Sequence, residues 1–118
     1  MSKIQVSARI KIPHGMLEEF KRQAGECIKQ VKEKDVGTLQ YDWFLNGDKT
    51  ECEVREVYES SDAALVHQSN LSEPLQILFE KLGSVPSIVI YGDPSAELLE
   101  NAKASGLNIT IFSFLQGL

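Results

Sequence analysis

An α+β fold in split βαβ order, extended by a short helix and a last strand, is what this sequence predicts. Three observations point to it. Residues Ile4, Val6, Ala8, Ile10 and Ile12 alternate with Lys3, Gln5, Ser7, Arg9 and Lys11, the period of two expected of a half-buried strand. Leu17, Phe20, Ala24, Cys27, Ile28 and Val31 then recur at three and four residues, the period of an amphipathic helix. Further on, two β-rich runs flank a short Asn/Gly/Asp loop, which makes them a hairpin and hence an antiparallel pair.

The first strand is ended by Pro13 and Gly15. The helix that follows runs about five turns by its period. Glu18, Glu19, Lys21, Arg22 and Lys29 take its solvent face, and Gly37 closes it. TLQYDWFLN is the second strand, NGDKT the loop and ECEVREVYE the third strand. Ser60 or Ser61 caps a second helix, with Asp62 well placed in the first turn. The helical pattern breaks near Leu71 to Pro74 and resumes with Leu75, Leu78, Phe79 and Leu82, so a fresh helix start at Pro74 is expected.

SIVIYGD is a fourth strand, apolar on both faces and therefore expected to be buried. PSAELLENAKA is a short helix stopped by Gly106, and NITIFSFLQGL is a fifth strand running to the C-terminus. With apolar residues in both phases, that strand wants cover from its own sheet or from a partner subunit. The β-α-β-β-α-β order is that of the ferredoxin-like fold. Such a sheet carries helices on one side only. A second sheet from a twin subunit can cover the other side, so a homodimer is expected.

At 118 residues the chain is expected to be one domain, 1–118, with a core of about 3–93 and an extension over 94–118. A net charge of −5 gives no basic face for nucleic acid. Lys29, Lys32 and Lys34 do cluster, but Glu33 and Asp35 interrupt them, and a solvated helix end explains the group. The first twenty residues lack the continuous apolar core of a signal peptide, and the longest apolar run, IVIY at Ile88 to Tyr91, is too short for a bilayer. Cys27 and Cys52 fit neither a disulfide framework nor a metal spacing, and each reads as a small buried hydrophobe. The expectation is a cytoplasmic protein with no membrane, nucleic-acid or metal partner.

Two polar residues fall where the pattern wants apolar ones. On the third strand Cys52, Val54, Glu56 and Tyr58 share one face, opposite Glu51, Glu53, Arg55, Val57 and Glu59. Glu56 is thus the one carboxylate on the apolar side. A desolvated carboxylate resists ionisation and can act as a base near neutral pH, or it is simply a buried Glu satisfied by a Tyr, a His or a backbone donor. His67 shares a helical face with Ala63, Val66 and Asn70, and the small Ala63 and Ala64 let that helix approach the sheet. Neutral imidazole can take a proton from a phenol, although a lone His is also an ordinary core residue. Tyr41 and Trp43 share a strand phase with Leu39 and Leu45, as wall of an aromatic-binding cavity or as plain core rings. Tyr58 and Asn70 complete the expected substrate-binding set. His14 sits in the first loop facing solvent, and neither histidine has a partner at metal spacing.

The run EVREVYESSDAALVHQSN and the late GDPSAEL, in this order of elements, resemble the antibiotic-biosynthesis-monooxygenase family of dimeric α+β barrels, over roughly Ile4 to Asp93. Its most specific part is Glu56-x-Tyr58 followed by Ala63, Ala64 and His67. The resemblance implies a homodimer with its sheets face to face and one cavity per subunit between sheet and helices. Several members oxidise phenols or quinols with molecular oxygen and use no metal, flavin or haem. Others degrade haem, isomerise a phosphorylated signalling sugar derivative, or have no assigned activity. The haem-degrading pattern wants an Asn on the first strand, where the inward phase here is Ile, Val, Ala, Ile, Ile. One polyketide-oxidising member is associated with an Asn, a Trp and an Arg. Asn70, Trp43 and Arg55 are present, but Arg55 lies in the opposite phase from Glu56, so that set is not carried over.

The implied chemistry has Glu56 orienting His67, and His67 deprotonating a small aromatic substrate that then reacts with oxygen without any cofactor. The alternatives are an isomerase in which the same two residues shuttle a proton, and a non-catalytic dimeric protein that binds small molecules or is associated with stress.

Overall fold

The computed structural model describes residues 3–118, so the first two residues of the expected domain lie outside it. Eight elements follow one another: β1 (Ile4–Lys11), α1 (Leu17–Lys34), β2 (Thr38–Leu45), β3 (Glu51–Tyr58), α2 (Ser61–Leu82), β4 (Ser87–Tyr91), α3 (Ala96–Ala104) and β5 (Asn108–Phe112). The sheet order is β2-β3-β1-β4-β5, antiparallel except for the parallel β4–β5 pair. The α+β, ferredoxin-like arrangement with an extra C-terminal strand is therefore the fold of the chain.

The registers put Ile4, Val6, Ala8 and Ile10 of β1 opposite Tyr58, Glu56, Val54 and Cys52 of β3, so all eight side chains share one face. α1 and α2 cover that face. Phe20 from α1 and Leu78 and Leu82 from α2 pack with Ala8, Ile10, Cys52 and Val54 in one core cluster. A second cluster joins Ile4, Tyr58 and Ile90 of the sheet to Ala63 and Ala64 of α2 and Leu98 of α3. Burial of these apolar side chains is the main stabilising term, on the order of 2 kcal/mol for each large one.

Four expectations need correction, each for a local reason. α1 ends at Lys34, short of Gly37, and the backbone of its cap residue Asp35 is already extended. α2 does not restart at Pro74 but runs through it for 22 residues. Pro74 leaves the Asn70 carbonyl without its helical donor, yet Leu71 and Leu78 on either side are fully buried and Gln23 of α1 donates to the Pro74 carbonyl at 3.2 Å. Tertiary packing holds the helix together against its own sequence. β4 is buried on the helix side at Ile90 but leaves Tyr91 exposed on the other. β5 stops at Phe112, because its partner β4 ends at Tyr91 and the Gly92 N–H makes the last bond to it, at 2.9 Å. The remaining residues, Phe114 and Leu115 among them, are exposed.

A further irregularity positions the site. The β2–β3 register shifts between Thr38 and Gln40, a bulge that turns Leu39 outward to 54% exposure, away from the phase of Tyr41 and Trp43. The extra residue brings Thr38 onto the inward side, opposite Tyr58. Gly37, just before it, is where the chain crosses under α2. A Cβ there would lie 2.6 Å from the Ala63 Cβ, so only glycine fits.

Candidate active site

The inward face of β2 and β3 and the facing side of α2 bring Tyr41, Trp43, Glu56, Tyr58 and His67 to one cavity of about 840 Å³. Glu56 and Tyr58 lie two residues apart on β3 and so point the same way. His67 comes down from the second turn of α2. That helix is started by Ser60, whose side chain accepts from the Ala63 N–H at 3.1 Å, and it can approach closely because Ala63 and Ala64 are small. Val66, expected on the same helical face, is instead exposed.

The residue that sequence reasoning missed is Asp35. Its carboxylate, with a side chain 2% exposed, sits 2.7 Å from His67 Nδ1. It also accepts from Asn70 Nδ2 at 2.9 Å and from Thr38 Oγ1 at 2.6 Å. Burial alone pushes this carboxyl up. The hydrogen bonds from Asn70, Thr38 and His67, together with the imidazole's charge, outweigh it and hold Asp35 below its ordinary range. An ionised Asp35 can only accept, so Nδ1 carries the proton and donates to it. Asn70, expected among the substrate-binding residues, instead meets Asp35, and it is not among the residues that line the cavity.

Fixing Nδ1–H leaves Nε2 of His67 with a free lone pair. Burial drives the His67 pKa down, and Asp35 opposes this without reversing it, so the ring is neutral at pH 7. Nε2 faces Glu56 Oε1 at 3.9 Å, too long for a hydrogen bond but close enough for charge to matter. Glu56 does not orient the imidazole, as the sequence reading had it; Asp35 does. Desolvation raises Glu56 to about 7, with the charge of Asp35 adding to the rise and a hydrogen bond from the Tyr58 hydroxyl opposing it. Tyr58 is itself pushed far up by burial, and then by Glu56, so it remains a donor.

Two rings frame the imidazole. Tyr41 meets it edge-on with centroids 4.9 Å apart, and Tyr58 lies tilted at 5.0 Å. Trp43 packs edge-to-face on Tyr41. Its indole N–H is buried with no acceptor in full hydrogen-bonding geometry among the described residues. Arg55 is exposed on the opposite face of the sheet.

The cysteines take no part. Both are buried and unpaired, and burial pushes the Cys27 thiol up to about 12 and the Cys52 thiol up to about 11. Among the described residues no group of three His, Cys, Asp or Glu side chains is placed to hold a metal ion. Among the described residues no helix is long and apolar enough to cross a membrane.

No curated protein matches the chain. Among solved structures, MupZ from Pseudomonas fluorescens is similar over 98% of this chain and 93% of its own, with a TM-score of 0.79 and 24% identity. A conserved protein from Methanosarcina mazei Go1 covers 77% of this chain and 92% of its own, with a TM-score of 0.69 and 19% identity. Rv0793 from Mycobacterium tuberculosis covers 79% and 96% respectively, with a TM-score of 0.68 and 18% identity. At such identities these likenesses speak for the fold alone. The model of the antibiotic biosynthesis monooxygenase family, however, matches residues 4–72, the stretch that holds Asp35, Glu56 and His67. With more than half its length matched, the chain belongs to the antibiotic biosynthesis monooxygenase family.

Proposed function

We propose that the chain is a monooxygenase that oxidises a phenol or quinol with molecular oxygen and needs no metal, flavin or haem. One observation carries the reading: an Asp35-held, neutral His67 presents an unprotonated Nε2 to an apolar cavity. Nε2 takes the hydroxyl proton of the substrate, and the resulting phenolate passes one electron to oxygen. Superoxide then bonds to a ring carbon that still carries hydrogen, para to the oxygen in a simple phenol and ortho to it in a para-quinol. Protonation gives a hydroperoxide, and loss of the ring proton with water leaves the quinone, so one oxygen atom enters the product and the other departs as water. The protein contributes the base, the Glu56 charge that stabilises the imidazolium, and exclusion of bulk water. Purified, metal-stripped protein is expected to consume oxygen with a panel of phenols and hydroquinones above their spontaneous rate. No uptake across the panel would sink the reading.

Glu56, poised near 7 beside His67, also suits a proton shuttle, and this favours an isomerase as the second reading. The two readings separate cleanly: an isomerase turns over under nitrogen.

The working unit in this proposal is a homodimer. The helix-free face of the sheet carries Phe44, Tyr91 and Phe112, all more than a third exposed, and Tyr91 stacks on Phe112 with centroids 5.8 Å apart. A second copy laid on that face covers them. Sedimentation equilibrium is expected to give twice the chain mass of 13.2 kDa; a species of single mass at micromolar concentration would refute it.

A further inference from the structure

We infer that the substrate is uncharged and elongated, with its reacting hydroxyl at His67 and its apolar remainder in a cleft between α2 and α3. The inference rests on the reading of His67 as the reacting end. The cavity is lined at one edge of the sheet by Tyr41 of β2 and at the other by Ile109 of β5. Four strand spacings separate those edges, about 19 Å. A single aromatic ring fills only one end of that length. The volume of about 840 Å³ is likewise near the upper end for sites that bury drug-sized ligands.

The far end has its own construction. Its floor is Ile88, Ile90 and Ile109, and its wall is Leu98, Ala102 and Leu107. Leu98 is 1% exposed and packs with Ile4, Tyr58 and Ile90, so α3 is seated on the sheet as a fixed wall. All of this wall, and every strand residue of the floor, lies beyond the family-matched residues 4–72. The reacting end thus lies within the family-matched residues and the far end beyond them.

Charge narrows the ligand class. The charged residues lining the cavity are Glu56 and Glu80; among the described residues no Lys or Arg does so. A phosphate, sulfate or carboxylate brought in here would lose its water and meet only like charge. A neutral apolar chain or second ring system meets no such cost.

Trp43 is the single tryptophan of the chain and lines the cavity, so its fluorescence reports occupancy. The probes are dimethyl ethers of hydroquinone bearing alkyl chains of increasing length, which lack the reactive hydroxyls and cannot be turned over. Each added methylene is expected to tighten Kd by about threefold to fourfold until the cleft is full. A terminal carboxylate on the longest chain is expected to remove that gain. Ala102→Phe, which narrows the cleft away from the reacting end, is expected to abolish the chain-length gain while leaving binding of the unsubstituted ether intact. A Kd indifferent to chain length overturns the inference. So does an undiminished gain in Ala102→Phe, or equal binding of the carboxylate. Because the ethers do not react, this outcome is independent of whether oxygen is consumed, and either reading can fail without the other.

Discussion

Replacing His67 by alanine is expected to slow oxygen consumption with a saturating hydroquinone by about 10²- to 10⁴-fold, the usual contribution of a positioned general base. The substrate site itself should survive, because the cavity walls come from the sheet and from apolar residues of α2 and α3. The loss should therefore fall on kcat more than on KM. Asp35→Asn sharpens the test. The substituted amide keeps the shape and can still meet Nδ1, but it can now donate. A donating amide favours the tautomer with Nδ1 unprotonated, which moves the proton to Nε2 and removes the base. A fall of about 10²-fold or more is expected from this near-isosteric change. Stopped-flow oxygen uptake by the two variants beside wild type checks both. A His67→Ala variant that retains wild-type turnover leaves the proposed chemistry without a base.

Glu56→Gln is expected to make the protein more stable and less active, and the stability gain carries a pH signature. In the unfolded chain the carboxyl titrates near 4.5, while in the folded protein desolvation raises it to about 7. Between those values the folded state holds a proton that the unfolded state has released, so wild-type stability falls as pH rises through that window. Above about pH 7 the full cost is present, on the order of 3 kcal/mol. Glutamine carries no charge and still offers an oxygen to the Tyr58 hydroxyl. Urea unfolding is expected to find the variant more stable by up to about 3 kcal/mol at pH 8 and equal to wild type at pH 4. An identical gain at both pH values would contradict the assignment. In activity, wild-type kcat/KM should rise with pH through an apparent value near 7, as Glu56 becomes the charge that stabilises imidazolium. The variant should lose that step and about 10-fold in rate.

These two residues stood out in the sequence because a polar side chain in an apolar phase breaks a period of two or of 3.6, and periodicity is local. The helices and strands were legible for the same reason. Asp35 was not. It follows a run of lysines at a helix end, where carboxylates are ordinarily solvated, and it meets His67 only because the chain turns inward 32 residues earlier in sequence. The one available hint was Gly37, read as a helix stop although α1 ends before it. Its real work is to let β2 pass beneath Ala63 and so hold Asp35 and Thr38 under His67. Asn70 was expected at the substrate, and its amide meets Asp35. Its helical face was right, but which neighbour takes an amide is a matter of three-dimensional proximity. The end of β5 depends on the length of β4, and the continuity of α2 depends on Leu71 and Leu78; neither is written in the segment itself.

The proline within α2 divides that helix into two lengths, both of which reach the cavity. Upstream stand His67 and Asn70, whose geometry with Asp35 tolerates little change; downstream stand Leu75 and Phe79, which line the cavity. Pro74 breaks the hydrogen-bond ladder between the two lengths, so a shift in the downstream half is not passed rigidly to the upstream one. Inherited variation can then reshape what the cavity admits while His67 and Asn70 keep their places beside Asp35. Under the proposed function, a single helix so interrupted gives a lineage room to change its substrate without first giving up its chemistry.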